Sequence, residues 1–116
     1  MLAKNLRFHG HGSLKYLYKN AGTYRSRYFS VRAIENRHRK DARFAIVVSK
    51  KVHKSAIGRN RMRRRLYEMI RLELPMMTKT LDVAVIVTSG EVLAAPYDDL
   101  RQSLAQLLSQ AGAYKQ

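Results

Sequence analysis

An apolar stripe at helical spacing, set inside a run of arginines, narrows what this chain can become more than any other feature. Between Arg59 and Arg71 stand six arginines, with Lys50, Lys51 and Lys54 just upstream. Met62, Leu66, Met69 and Ile70 return at i, i+4, i+7 and i+8, the spacing of one buried helix face. A helix turning about 100° per residue carries Asn60, Arg64, Tyr67 and Arg71 on the side away from that stripe. Arg61 and Glu68 fall near this polar side, and Arg63 and Arg65 flank the stripe. The pattern predicts a basic helix over residues 57–74 that docks on a core and presents guanidinium groups outward.

Such a row repels itself unless a polyanion lies across it. Arginine offers a planar fork of donors matched to phosphate oxygens, and it stacks on bases. A helix start adds free N–H groups and the positive end of the macrodipole. Asn60, between Arg59 and Arg61, can read a ribose or base edge, or cap the helix. The plainer alternative is a solvated basic face with Asn60 as a helix-start residue.

The charge of the whole chain favours the polyanion. Its 116 residues carry a net charge of +15, placed unevenly. Residues 1–65 hold 19 Lys and Arg against 2 acids, and residues 66–116 hold 4 against 6. One strongly cationic side makes nucleic acid the leading partner class, with an anionic membrane as the other. No apolar run approaches the roughly 20 residues of a membrane span, and MLAKNLRFHGHG lacks a signal-peptide core. There is no Cys, which excludes disulfides and Cys-based zinc sites. A cytoplasmic, non-membrane protein with no obligate protein partner is the expectation.

One domain of residues 1–116 is expected, with residues 1–12 a basic arm. His9 and His11 lie near each other there without a third metal ligand in sequence. Ser13 suits the N-cap of a short helix reaching Lys19, with Leu14, Leu17 and Tyr18 on one face and Asn20 and Gly22 ending it. RYFSVRAIE, residues 27–35, alternates: Phe29, Val31 and Ala33 go to the core, and Tyr28, Ser30, Arg32 and Ile34 go to the other side. NRHRKD, residues 36–41, reads as a hairpin loop into a strand over residues 43–50. A further short strand is expected at residues 23–25. Pro75 is expected to stop the basic helix, with Leu74 already extended. LDVAVIVT, residues 81–88, reads as a strand buried on both faces. The last helix, residues 97–111, opens with Asp98 and Asp99 in its first turn and ends at Gly112. The order α-β-β-β-α-β-α makes a two-layer α/β (α+β) sandwich on a mixed, four-stranded sheet.

Enzyme chemistry is not visible. The eight acids are scattered, and neither His38 nor His53 pairs with a Ser or an acid in sequence. No carboxylate cluster would hold Mg2+, which argues against a protein-only nuclease. A DNA-reading helix fits poorly, because the arginines ring the helix instead of lining one edge.

VSKK at Val48 to Lys51, a short loop, then GRNRMRRRL at Gly58 to Leu66, resembles the signature of the protein subunit of bacterial ribonuclease P. The similarity runs from about Leu6 to Leu108. It implies the fold of the second domain of ribosomal protein S5, with a left-handed crossover at the basic helix. It also implies a subunit of an endoribonuclease whose catalyst is ribonuclease P RNA, working with Mg2+ bound mainly by that RNA to remove the 5′ leader of precursor tRNA. The positions it implies for RNA contact are Lys50, Lys51, Lys54, Arg59, Asn60, Arg61, Arg63 and Arg64. For a leader cleft between the first helix and the open sheet face it implies Leu14, Tyr18, Arg32 and Ser49, with Tyr67 one turn along the basic helix. Many relatives have Phe at the position of Leu14 and Arg at that of Tyr67. No catalytic or metal-binding residue is implied in the protein. The rival is a ribosomal or general RNA-binding or chaperone protein, which has no reason to keep the Ser-Lys-Lys to Arg-Asn-Arg spacing.

Overall fold

The computed structural model describes residues 17–36 and 42–114. The basic arm, Ser13, Leu14 and the histidines at 9, 11 and 38 lie outside the described residues. The described chain opens on a helical segment, α1 (residues 17–20), and continues through β1 (Gly22–Arg25), β2 (Phe29–Glu35) and β3 (Arg43–Val47). Then come α2 (Ala56–Glu73), β4 (Leu81–Val87) and α3 (Tyr97–Gln110). Short 3-10 turns follow α2 and β4, at Leu74–Met76 and Gly90–Leu93. No helix among the described residues is long and apolar enough to cross a membrane.

The sheet order is β1-β2-β4-β3, with β4 antiparallel to β2 and parallel to β3. This corrects the expected hairpin at residues 36–41. β2 and β3 are not neighbours, because β4 inserts between them. The reason is visible in β4, whose residues are buried on both faces apart from Ile86. Such a strand belongs at the centre, and it displaces a pairing that sequence proximity alone suggests.

Register then sorts the two faces. Val31, Val85 and Ile46 are cross-strand partners, and they lie on the face that receives α2 and α3. The α2 stripe is fully buried there, with Met62, Leu66, Met69 and Ile70 all at 0 % exposure. Leu100, Leu104 and Leu108 of α3 are equally buried. Each such side chain contributes about 1.5–3 kcal/mol, so α2 is held firmly by its back.

Two further local expectations need correction. Leu74 stays helical (φ −51°, ψ −45°), and Pro75 sits inside the 3-10 turn, where its missing N–H is not needed. The chain turns extended only at Met77 (ψ 134°). Tyr28, expected on the open side, is 6 % exposed and joins the core. It lies one residue before β2 begins, so the strand's alternation does not govern it. Gly112, at φ 88°, takes the left-handed conformation that ends α3.

Candidate nucleic-acid interface

α2 begins at Ser55, whose Oγ accepts the Gly58 N–H at 3.3 Å. Ser55 is therefore the cap, and Asn60 lies inside the second turn. Asn60 instead accepts a hydrogen bond from Arg63 Nη1 at 2.7 Å through Oδ1. This leaves its amide N–H groups directed elsewhere and fixes the Arg63 guanidinium.

The six arginines of the helix divide by what they touch. Arg61 and Arg64 are exposed, with no hydrogen-bond or ion-pair partner among the described residues. Lys50, Lys51 and Lys54 are exposed in the preceding loop and likewise have none. Ile57, 68 % exposed, lies one turn before Asn60 and Arg61 on the same side. Arg59 folds back, its Nη1 donating to the carbonyls of His53 and Lys54, each at 2.9 Å. Arg65 ties α2 to the turn after β4, donating to Val92 O (2.9 Å), Leu93 O (3.2 Å) and Ala95 O (2.7 Å). Arg71 pairs with Glu68 one turn back, and that hydrogen bond holds the Glu68 carboxyl below the usual range.

Beyond Arg64 the helix is electrically closed. Glu73, 5 % exposed, accepts from Arg101 Nε at 3.1 Å and from the Tyr114 hydroxyl at 2.8 Å. Burial, and then the bond to Glu73, push the Tyr114 hydroxyl well above the usual tyrosine range. Within the loop and α2, the open cations thus lie in the loop and the first half of the helix.

A second arrangement forms on the other sheet face. Tyr18, 39 % exposed at the end of α1, lies under Arg32, whose guanidinium carbon is 5.1 Å from the ring centroid. Arg32 Nη1 also donates to Tyr18 O at 2.8 Å. Leu17 is fully buried, which seats α1 on this face. Beside Arg32 runs a cross-strand row, Ser30, Ile86 and Val47, each half-buried. Ser49 is exposed just past β3, and its carbonyl accepts the N–H groups of Val52 and His53. The structure therefore brings Tyr18 and Arg32 together. Tyr67 is half-buried against the core, and among the described residues no hydrogen bond or ring contact joins it to them. Leu14 lies outside the described residues.

One end of this face is closed by a network that sequence reading passed over. Arg43 Nε and Nη2 grip Asp82 at 3.0 and 2.9 Å, and Asn36 Nδ2 adds a third bond at 2.8 Å. The sequence signal was an acid inside an otherwise apolar strand, which requires a buried partner. Arg65 gave no comparable signal, since its acceptors are backbone carbonyls about thirty residues away.

Among the described residues no three His, Asp or Glu side chains gather as metal ligands. Glu68, Glu73, Asp82 and Glu91 are each engaged by an arginine. Asp98 and Asp99 complement the start of α3.

Comparison with known proteins gives the family. A family model described as Ribonuclease P matches residues 2–112. The ribonuclease P protein component of Synechocystis is 32% identical over 111 residues, covering 96% of this chain and 89% of that protein. The Chloroflexus aurantiacus protein of the same name is 40% identical over 73 residues, 63% of this chain and 53% of that protein, so the match spans about half its length. The solved structure of the Staphylococcus aureus RNase P protein superposes with a TM-score of 0.82 at 23% identity, covering 95% of this chain and 98% of that one. At that identity the superposition speaks for the fold, while the sequence matches across nearly the whole chain place this protein in the ribonuclease P protein family.

Proposed function

We propose that this protein is the protein subunit of ribonuclease P, acting in the cytoplasm with ribonuclease P RNA to remove the 5′ leader of precursor tRNA. The observation that carries the reading is the set of unpartnered cations, Lys50, Lys51 and Lys54 in the entry loop and Arg61 and Arg64 on a helix anchored by its apolar back. Phosphates of folded RNA supply the missing counter-charge. Arg63 and Asn60 act as a hydrogen-bonded pair beside them, and Arg59 contributes by fixing the loop. The Tyr18–Arg32 stack beside the half-open row of Ser30, Ile86 and Val47 suits a single strand. A base stacks on the ring while the guanidinium tracks the backbone, with Ser49 at its border. Bond breaking belongs to the RNA, which also holds the Mg2+.

Reconstitution tests this directly. Added to ribonuclease P RNA at low Mg2+, the protein should restore cleavage of precursor tRNA, and the protein alone should cut nothing. Failure with a cognate RNA would leave a general RNA-binding protein. If about six phosphates are neutralised, log affinity should fall with log salt at a slope near −5. A slope near zero would end the electrostatic account. Tyr18→Ala should weaken precursor binding more than mature tRNA binding, and equal losses would remove the cleft.

A further inference from the structure

The loop leading into α2 is stapled to the helix by a side chain that the proposed function does not use. His53 lies against the first turn, and its ring fills the space where residue 58 would carry a side chain. A Cβ on Gly58 would stand 2.2 Å from His53 Cε1 and 2.5 Å from Nδ1. The same Nδ1 accepts the Ser55 N–H at 3.1 Å. Nδ1 is thus the ring's accepting nitrogen, and this bond fixes the orientation of the imidazole. From the other side, Arg59 clamps the His53 and Lys54 carbonyls, and the His53 N–H returns to Ser49 O at 3.3 Å.

These contacts explain an otherwise unfavourable residue. Glycine is the poorest helix former after proline, yet Gly58 lies in the first turn of the helix that must be rigid. It is buried under the imidazole. The cost in helix propensity is offset by a loop whose shape is set before RNA arrives. A loop ordered in advance loses less conformational freedom on binding.

We propose that His53 is a positioning residue. Seated on Gly58, it locks the loop of residues 49–55 onto α2 so that Lys50, Lys51 and Lys54 stand in fixed relation to Arg61 and Arg64. This rests on the reading that those cations face ribonuclease P RNA. His53 itself need not touch the RNA. In place of a large side chain at position 58 pointing outward, the chain spends that position on receiving the ring.

The test is a salt titration of binding to ribonuclease P RNA by the full chain and five variants. His53→Ala and Gly58→Ala break the same lock, the second by expelling the ring. Each should weaken binding about 5-fold, and the double variant should lose no more than the weaker single. The salt slope should become shallower by about one unit as Lys54 is released. A merely structural defect would lower the active fraction and leave the slope alone. His53→Asn keeps an acceptor for the Ser55 N–H and should recover most of the loss. If His53→Ala melts the fold by circular dichroism, Gly58→Ala still decides, because it adds helix propensity. Wild-type affinity in both single variants, losses that multiply in the double variant, or an unchanged slope would each overturn the lock. Arg61→Ala separates the two readings: if it leaves binding intact, the RNA-facing surface is wrong. If only the His53 and Gly58 variants bind normally, the lock alone fails.

Discussion

The two halves of α2 share one buried stripe and a similar density of charge, yet they are different kinds of surface. From Ala56 to Arg64, Arg61 and Arg64 point outward with no partner among the described residues. From Arg65 to Glu73, each charged group is engaged within the protein, by backbone carbonyls, by a neighbour one turn away, or by α3 and the C-terminal turn. Counting arginines, four against two, does not say which of them are open, whereas counting partners does. A guanidinium already bonded to three carbonyls has little left for phosphate, whereas one that is solvated at rest exchanges water and counterions for RNA.

That contrast can be broken by substitution, starting where the loss should be greatest. Glu73→Ala removes a buried acceptor and strands Arg101 and Tyr114. Arg101 is a third exposed and can rehydrate, so the cost should be about 2–3 kcal/mol of stability, read as a lowered denaturation midpoint. Arg65→Ala should cost about 2 kcal/mol by the same measurement, through three lost bonds to carbonyls. Its RNA salt slope should stay as in the parent protein. A shallower slope would place Arg65 on the RNA surface and erase the boundary between the halves. Arg61→Ala should do the reverse, losing about 1–2 kcal/mol of RNA affinity and about one unit of slope with its melting temperature unchanged. Unfolding of that variant would make Arg61 structural.

The smallest effect concerns pH. The Tyr114 hydroxyl titrates above its usual range in the folded protein, whereas in the unfolded chain it titrates near about 10. The folded state therefore holds this proton more tightly. Its contribution is fully present below about pH 10 and is lost as pH rises toward the folded value. Tyr114→Phe should flatten the fall of melting temperature above about pH 10. An identical alkaline profile in both proteins would show that the clasp on Glu73 carries no linkage.

Much of this was legible beforehand, for reasons that differ by element. The stripe of Met62, Leu66, Met69 and Ile70 declares itself by period, because a helix buries one side whatever it packs on. β2 declares its core face by alternation at Phe29, Val31 and Ala33, and β4 declares its central place by being apolar throughout. The hairpin between β2 and β3 failed because loop composition reports a turn without reporting which strand fills the gap beyond it. Pro75 does end the α-helix, which stops at Glu73, but Leu74 is helical and not extended because proline is tolerated in the first turn of a new helical segment. Tyr18 and Arg32 were named from the sequence side, but their stacking is a property of α1 lying on the sheet.

The amino-acid order alone therefore determined where apolar residues recur and where positive charge is concentrated, and hence that a cationic helix with a buried back would form. These are local properties, settled within a few turns of chain. Tertiary structure decided which of those cations remain open. Arg65 finds its acceptors at Val92, Leu93 and Ala95, Glu73 finds Arg101 and Tyr114, and Arg43 finds Asp82, across separations of about thirty to forty residues. A charge is satisfied by whatever the fold carries to within hydrogen-bond distance, and sequence spacing does not encode that proximity until the strands have chosen their order.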